Sequence, residues 1–313
     1  MYALPVAPVA LDVRRLARDL VVSMAALQVA IAVLDAAFHL GGGIATAELA
    51  AVFDATSEGG LASFVMVTQM ALVAATLGAL TLAYRAAGLE AARVRGWGAL
   101  AALFAYLALD DGVRLHEGVG SAFADSALAG SAVGAAFPSY SWQLVLGPVF
   151  AAAGLAMVVF LWRELGTARR RGLVAAACGL VAVAVGLDFV DGLGANHPLN
   201  LYARLTETGL ADGAARAFGM GPFDVVLHGS RVLEEAAETL AFTLLWAAFL
   251  LHLGDTLARV TVELAPAGAA ASGRNPRSSK PGNAVPAREA RRPAERLRAM
   301  PSPLGRPAGM DGV

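Results

Sequence analysis

The sequence has few of the residues that keep soluble proteins in water. Asp, Glu, Lys and Arg together make up 16% of its 313 residues, whereas soluble globular domains contain about 25%. The single cysteine, Cys178, excludes a disulfide within the chain. The sequence also lacks a Gly-x-x-x-x-Gly-Lys loop and a His-Glu-x-x-His motif, so it carries no signature of a nucleotide site or of a common zinc protease.

Long apolar runs take the place of the missing charges. Hydrophobic residues make up 57% of the chain, and the mean hydropathy is +0.61. Six runs each have about the 20 residues that a helix needs to cross a bilayer. We therefore predict an all-α, polytopic membrane bundle of six transmembrane helices within 18–253, at about 18–40, 61–84, 97–116, 141–162, 172–192 and 231–253.

The remaining segments are predicted to lie outside the membrane. Residues 1–17 form a short lead, and residues 193–230 form the longest loop, in which 198–218 has the leucine spacing of a short interfacial helix. Residues 264–313 are rich in proline and arginine and poor in large apolar residues, which predicts a disordered basic tail. Such a tail is either a solvated extension or a segment drawn to anionic lipid by its charge. No segment predicts nucleic-acid binding.

The arginines predict the orientation of the bundle. They precede the first apolar run and fill the connections between runs two and three and between runs four and five. The intervening loops carry Glu48, Asp54 and Asp125 with few cations. By the positive-inside rule, both termini are cytoplasmic and the protein is a multi-pass protein of the inner (plasma) membrane.

Ionisable residues gather at one end of these helices. Because neighbouring helices alternate in direction, all four groups are predicted at the outer face, and charge within a membrane helix is a functional candidate by default. They end the first, third and fifth helices and open the sixth: Asp35 and His39; Asp110, Asp111, Arg114, His116 and Glu117; Asp188 and Asp191; and Arg231, Glu234, Glu235 and Glu238.

Helical spacing predicts which of these side chains face one another. Asp110, Arg114 and Glu117 follow i, i+4, i+7 and share one face of a regular third helix, on which His116 would lie about 120° from Asp110. Gly112 and Gly118 favour a bend or an early end of this helix, so the direction of the His116 imidazole stays open. In the last helix, Glu238 lies about 10 Å further along the axis than Arg231.

Two arginines cannot compensate so many carboxylates, which leaves bound protons, a cation or water to compensate the rest. Carboxylates and imidazoles on facing helices build metal sites in helical bundles, and this donor set suits a divalent Zn, Fe, Mn or Ca ion. We predict Asp110, Glu117 and Glu238 as catalytic residues, and Asp35, His39, Arg114 and Arg231 as residues lining the site. The predicted metal ligands are Asp111, His116, Asp188, Asp191, Glu234 and Glu235.

Two resemblances follow from these motifs. The segment from Leu109 to Glu117 and the Glu234-Glu235-Ala-Ala-Glu238 string resemble those of uncharacterised bacterial multi-pass membrane proteins, over roughly 20–253. The bundle with His and Asp near one face is also similar to the alkaline ceramidase and progestin-receptor-like superfamily, which implies a zinc-dependent membrane hydrolase. That superfamily carries a His-x-x-x-His helix, where this chain has glutamates.

Three functions remain open from the sequence. The first is a metal-dependent hydrolase acting on a lipid-like or amphipathic substrate at the outer face. The second is a proton- or cation-linked transporter or channel, in which the carboxylates form a relay. The third is a non-catalytic membrane sensor or assembly protein, in which the charged groups hold the bundle together.

Overall fold

The structure is a computed structural model that describes residues 12–41, 46–57, 59–126 and 129–256. In these ranges every regular element is a helix. The predicted tail and residues 1–11 of the predicted lead lie outside the described residues. The helices are α1 (Val13–Leu34), continued by a π-helical turn (Asp35–Leu40), α2 (Ala47–Phe53), α3 (Leu61–Ala86), α4 (Ala91–Val113), α5 (Leu115–Ala124), α6 (Ala132–Ala136), α7 (Ser141–Glu164), α8 (Ala168–Asp191), α9 (Leu201–Glu207), α10 (Asp212–Phe218) and α11 (Pro222–Thr256).

Five of these helical stretches are long and apolar enough to cross a membrane. They are Val13–Leu40, Leu61–Ala86, Ser141–Glu164, Ala168–Asp191 and Pro222–Thr256. This confirms the predicted all-α membrane bundle. The predicted third span corresponds to α4, which is a long helix packed along α3. Two arginines lie among its first five residues and two aspartates among its last four, and it is not one of the five.

The long last helix, α11, lies at the centre of the bundle. It packs against α8, α1 and α3, and more of its surface is buried than that of the other four candidate spans. The main core contains Trp97, Phe104 and Phe249, which are almost fully buried and pack edge to face. This core fixes the position and rotation of α11, and therefore of the ionisable residues on it.

A polar network closes the end of the bundle where α11 finishes. The buried His252 shares one hydrogen bond with the Tyr84 hydroxyl at 2.7 Å and another with the Arg170 guanidinium at 3.0 Å. Its ring stacks on Trp97 with 4.9 Å between centroids. With both ring nitrogens bonded inside the bundle, His252 is a structural residue.

Two helix boundaries differ from the predicted ones in ways that matter for function. The last helix begins at Pro222 rather than at 231, because proline favours the first turn of a helix and Asp224 adds a favourable acid there. The third predicted helix does not run regularly to 116. It ends at Val113, and Arg114 takes a left-handed conformation with φ 57° and ψ 45° before α5 begins.

The long loop before α11 holds two short helices, α9 and α10, instead of one. Asn200 caps α9 by accepting a hydrogen bond from the Ala203 amide at 3.0 Å and donates to the Leu193 carbonyl at 3.0 Å. The Tyr202 hydroxyl donates to the Leu187 carbonyl at 3.0 Å. These buried bonds attach the loop to the end of α8.

Candidate functional site

The ionisable residues form two separate groups at the end of the bundle where α11 begins. The first is a compact set of two carboxylates and two imidazoles, Asp35, His39, Asp54 and His228, which we call the Asp–His cluster. The second is a cavity of about 1500 Å³, which we call the acidic cavity. Its ionisable lining comes from α4, α5, α8 and α11 and consists of Asp110, Asp111, His116, Glu117, Asp188, Asp191, Arg231, Glu234, Glu235 and Glu238.

Three chain segments build the Asp–His cluster. The π-helical turn at the end of α1 supplies Asp35 and His39, and such turns occur frequently at functional sites. Asp54 leaves the short helix α2 in an extended conformation, with φ −64° and ψ 108°. His228 lies in α11. Buried apolar residues of α1, α3 and the intervening loop pack beneath the cluster: Ile31, Ala55 and Ala62.

The four side chains point their ligand atoms toward one another. The Asp35 Oδ2 atom lies 2.8 Å from His228 Nε2, and the Asp54 Oδ2 atom lies 3.8 Å from His39 Nε2. The two imidazole rings stack with 5.4 Å between their centroids and 13° between their planes. One ligand atom from each residue fits in a set no wider than 4.8 Å.

Each carboxylate in this cluster has its second oxygen held by a nearby donor. Asp35 Oδ1 accepts a hydrogen bond from the Ala55 amide at 3.2 Å. Asp54 Oδ1 accepts from the amide and the hydroxyl of Thr56, at 2.9 and 2.7 Å. The Oδ2 atoms are therefore oriented toward the imidazoles by their own partners, as metal-ligating carboxylates generally are.

This arrangement is able to hold a metal ion. Within 12–41, 46–57, 59–126 and 129–256, it is the only group of three or more His, Cys, Asp or Glu residues with ligand atoms close enough to share one ion. It contains Asp35 and His39, which the sequence predicts as residues lining the site. The six predicted metal ligands are not in it; all six line the acidic cavity.

The break after α4 shapes one wall of the acidic cavity. Because Arg114 reverses the chain direction locally, His116 turns back and its Nδ1 lies 3.0 Å from Asp110 Oδ2. The helix therefore ends early, as Gly112 favours, and the 120° separation that a regular helix would give does not apply. Arg114 itself is exposed, with its guanidinium 3.8 Å from Glu117, so the predicted common face with Asp110 is also lost. Asp111 faces the cavity with a buried Oδ2 that has no hydrogen-bond partner.

Asp191 is the most heavily bonded acid in the acidic cavity. It accepts a hydrogen bond from the Tyr140 hydroxyl at 2.5 Å and another from Arg231 at 3.1 Å. Burial raises the pKa of the Tyr140 phenol above its usual range, and the bond to Asp191 raises it further. Tyr140 therefore stays a neutral donor. Nearby, the Gln143 amide donates to Asp188 Oδ2 at 2.7 Å.

The sequence did not identify several residues that the fold brings to these sites. Asp54 and His228 complete the Asp–His cluster, and Tyr140 and Gln143 bond acids in the acidic cavity. His228 was assigned to a loop because the start of α11 was placed too late. Asp54 lies in the loop after the first predicted helix, and its distance from Asp35 along the sequence gives no sign that the two side chains meet.

Fold and site together define a multi-pass helical membrane protein with a candidate metal centre beside a large acidic cavity. The chain belongs to the family described as Domain of unknown function (DUF8692), whose family model matches residues 20–253. No curated protein and no solved structure is significantly similar to the chain.

Proposed function

We propose that this protein binds a divalent transition-metal ion through Asp35, His39, Asp54 and His228. The observation that carries the proposal is the convergence of four ligand atoms, two nitrogens and two oxygens, within 4.8 Å. Imidazole together with carboxylate suits Zn, Fe or Mn, whereas Ca and Mg prefer oxygen ligands alone. We therefore propose Zn, Fe or Mn rather than Ca.

Two of the separations between ligand atoms bracket the spacing around a tetrahedral ion, within a set that is up to 4.8 Å wide. Zinc bonds of 2.0–2.2 Å place neighbouring ligand atoms about 3.4 Å apart. The two measured nitrogen–oxygen separations, 2.8 and 3.8 Å, lie on either side of that value. An ion would therefore enter with small side-chain shifts and would join the end of α1, the loop after α2 and α11.

A second candidate function is metal-dependent hydrolysis of an amphipathic substrate. One contact favours it: Thr56 donates two hydrogen bonds to Asp54 and also lines the acidic cavity. The Asp–His cluster therefore borders a space with carboxylates suited to general base catalysis, and Asp110, Glu117 and Glu238 stay the proposed catalytic residues. A catalytic zinc keeps one coordination position for water. The Asp54 carboxylate lies further from its imidazole partner than the Asp35 carboxylate does, so water would replace Asp54 at that position.

The transporter and the non-catalytic alternatives make different use of these groups. A proton or ion path needs acids that continue through the bundle. Deeper in the acidic cavity the lining is apolar, with Leu103, Phe104 and Leu245, which disfavours such a path. The non-catalytic alternative rests on the number of ligands. A metal bound by four protein ligands is typical of a structural site, and the Asp–His cluster offers four.

We further propose that both sites lie at the outer face of the plasma membrane, with both termini in the cytoplasm. The distribution of arginines over the connections supports this orientation.

Zinc titration of the purified protein tests the metal proposal. A ligand at a hundred times its Kd stabilises a folded protein by about 2.7 kcal/mol, so Zn²⁺ should raise the Tm of the wild type. The double variant H39A/H228A should lose this rise. H116A, which removes the imidazole of the acidic cavity, and H197A, which removes a loop imidazole bonded only to the Leu199 amide, should keep it.

This titration distinguishes the Asp–His cluster from the metal ligands predicted from the sequence, which line the acidic cavity. If H116A abolishes the stabilisation and H39A/H228A retains it, the metal binds in the acidic cavity and the proposal is wrong. If no variant and no wild-type sample responds to Zn²⁺, Fe²⁺ or Mn²⁺, the Asp–His cluster is a structural ion-pair network.

A further inference from the structure

The acidic cavity has a charged end and an apolar end. Its ionisable residues lie on the first half of α11, on α5 and on the last turns of α4 and α8, while Phe104, Phe242 and Leu245 line it deeper along α4 and α11. From Glu234 to Leu245 the axis of α11 advances about 16 Å. The cavity therefore extends from a polar mouth along a considerable length of apolar helix surface, and its volume of about 1500 Å³ exceeds the 300–1,000 Å³ of ordinary small-molecule pockets.

The charged end carries an excess of carboxylates. Arg231 is paired with Asp191 and His116 with Asp110. Several acids act electrostatically on Glu234 or Glu238: Asp111, Asp188, Asp191 and Glu235. The polar end of the cavity therefore favours a positively charged occupant.

The carboxylates are too far apart for a single bare metal ion. Among the described residues, the Asp–His cluster alone has three or more such ligand atoms close enough to share one. An organic cation is wider and spreads its charge over several hydrogen atoms or methyl groups. The aromatic rings of Tyr140, Trp142 and Phe150 line the same space, and aromatic faces attract organic ammonium groups.

We propose that the acidic cavity binds a single-chain amphiphile with an ammonium head group. The head lies among Asp111, Asp188, Glu234 and Glu238, and the hydrocarbon chain lies along Phe104, Phe242 and Leu245. The buried, unpartnered Asp111 Oδ2 gains a partner from the head group. This inference names the substrate class for the hydrolase candidate, but it does not depend on the metal, because its residues are outside the Asp–His cluster.

Matched probes test this proposal on the wild-type protein in phosphatidylcholine nanodiscs. Dodecyltrimethylammonium has both the charge and the chain, dodecanol has the chain alone, and tetramethylammonium has the charge alone. We expect dodecyltrimethylammonium to bind at least tenfold more tightly than either of the others. Equal affinity for dodecanol and dodecyltrimethylammonium would overturn the proposal, as would full competition by Mn²⁺ or Ca²⁺, which would identify a metal site.

Variants then locate the binding. E234Q/E238Q should weaken dodecyltrimethylammonium at least tenfold and leave dodecanol unchanged, and D188N should act in the same direction. E207Q, which changes an exposed glutamate of α9, is the matched control and should have no effect. The circular dichroism spectrum and the thermal melting of each variant report whether it is folded, and zinc titration of the same variants tests the metal proposal separately. An unchanged affinity in folded E234Q/E238Q would contradict the amphiphile proposal.

Discussion

At the residue scale, the buried Asp35 links several elements at the end of the bundle where α11 begins. Its carboxylate is 2% exposed and has partners on both sides, the Ala55 amide and the His228 ring. A buried carboxylate is tolerated when it is paired and hydrogen-bonded, and removing one partner of such a pair is costly. Asp35 therefore connects the stability of α1 and α11 with the proposed metal site.

We expect D35A to lower the free energy of unfolding by about 3 kcal/mol, because it leaves a buried imidazole and a backbone amide without their partner. Denaturant titration in detergent measures the change. D19A removes an exposed aspartate that pairs with Arg15 and Arg18, and it should change stability by less than about 0.5 kcal/mol. If the two variants are equally stable, Asp35 does not hold these helices together.

Gln69 is a second residue that joins two helices through a polar contact. Its buried amide donates to the Thr243 hydroxyl at 2.6 Å and to the Thr239 carbonyl at 3.3 Å. Hydrogen bonds between membrane helices contribute about 0.6 kcal/mol on average and up to about 1.7 kcal/mol. We expect Q69L to cost about 1 kcal/mol in the same measurement, and a stabilised Q69L would show that α3 and α11 pack without this bond.

At the scale of elements, the break between α4 and α5 is the most informative feature. Arg114 is the only non-glycine residue with positive φ in the described ranges. An L-residue in this conformation is strained by about 1–2 kcal/mol relative to a right-handed helix, and glycine relieves that strain. The strained turn is what brings His116 back onto Asp110.

Two substitutions at this position distinguish a broken helix from a continuous one. R114G and R114A remove the same guanidinium, so their difference in stability reflects the backbone alone. We expect R114G to be more stable than R114A by about 1 kcal/mol. A more stable R114A would show that the helix runs through residue 114, because alanine is favoured over glycine in a helix interior by a similar amount.

The sequence predicted the elements better than the contacts between them. Apolar length predicted six spanning helices, and five of them are long and apolar enough in the structure, since that signal is local. The π-helical turn after Leu34 and the left-handed Arg114 were not predictable, because both depend on packing against residues distant in the sequence. The same limit applies to the sites: the charged ends of α4, α8 and α11 were identified as the lining of one site, but the approach of Asp54 and His228 to Asp35 required the fold.

At the scale of the whole molecule, the charged groups lie at one end and an aromatic and histidine network closes the other. The Asp–His cluster and the acidic cavity both contain residues of the first half of α11, while His252 lies near its last residue. The central helix α11 thus connects the candidate sites with the end that the His252 network closes. Its orientation determines on which side of the membrane the sites lie.

Cysteine labelling tests that orientation. In a C178S background, a cysteine replacing Glu207 in α9 should react with a membrane-impermeant maleimide in intact cells. A cysteine replacing the exposed Arg169 at the start of α8 should react only after lysis. The reverse pattern would place both termini outside and both sites on the cytoplasmic side.

The central claim is that the Asp–His cluster is a metal centre, and X-ray absorption spectroscopy of the zinc-loaded, full-length protein tests it most directly. We predict a four-coordinate ion with two imidazole nitrogens at about 2.0–2.1 Å and carboxylate oxygens at about 2.0–2.2 Å. The imidazole signal should disappear in H39A/H228A and persist in H116A. A shell of oxygens without imidazole, or an imidazole signal lost in H116A alone, would contradict the account.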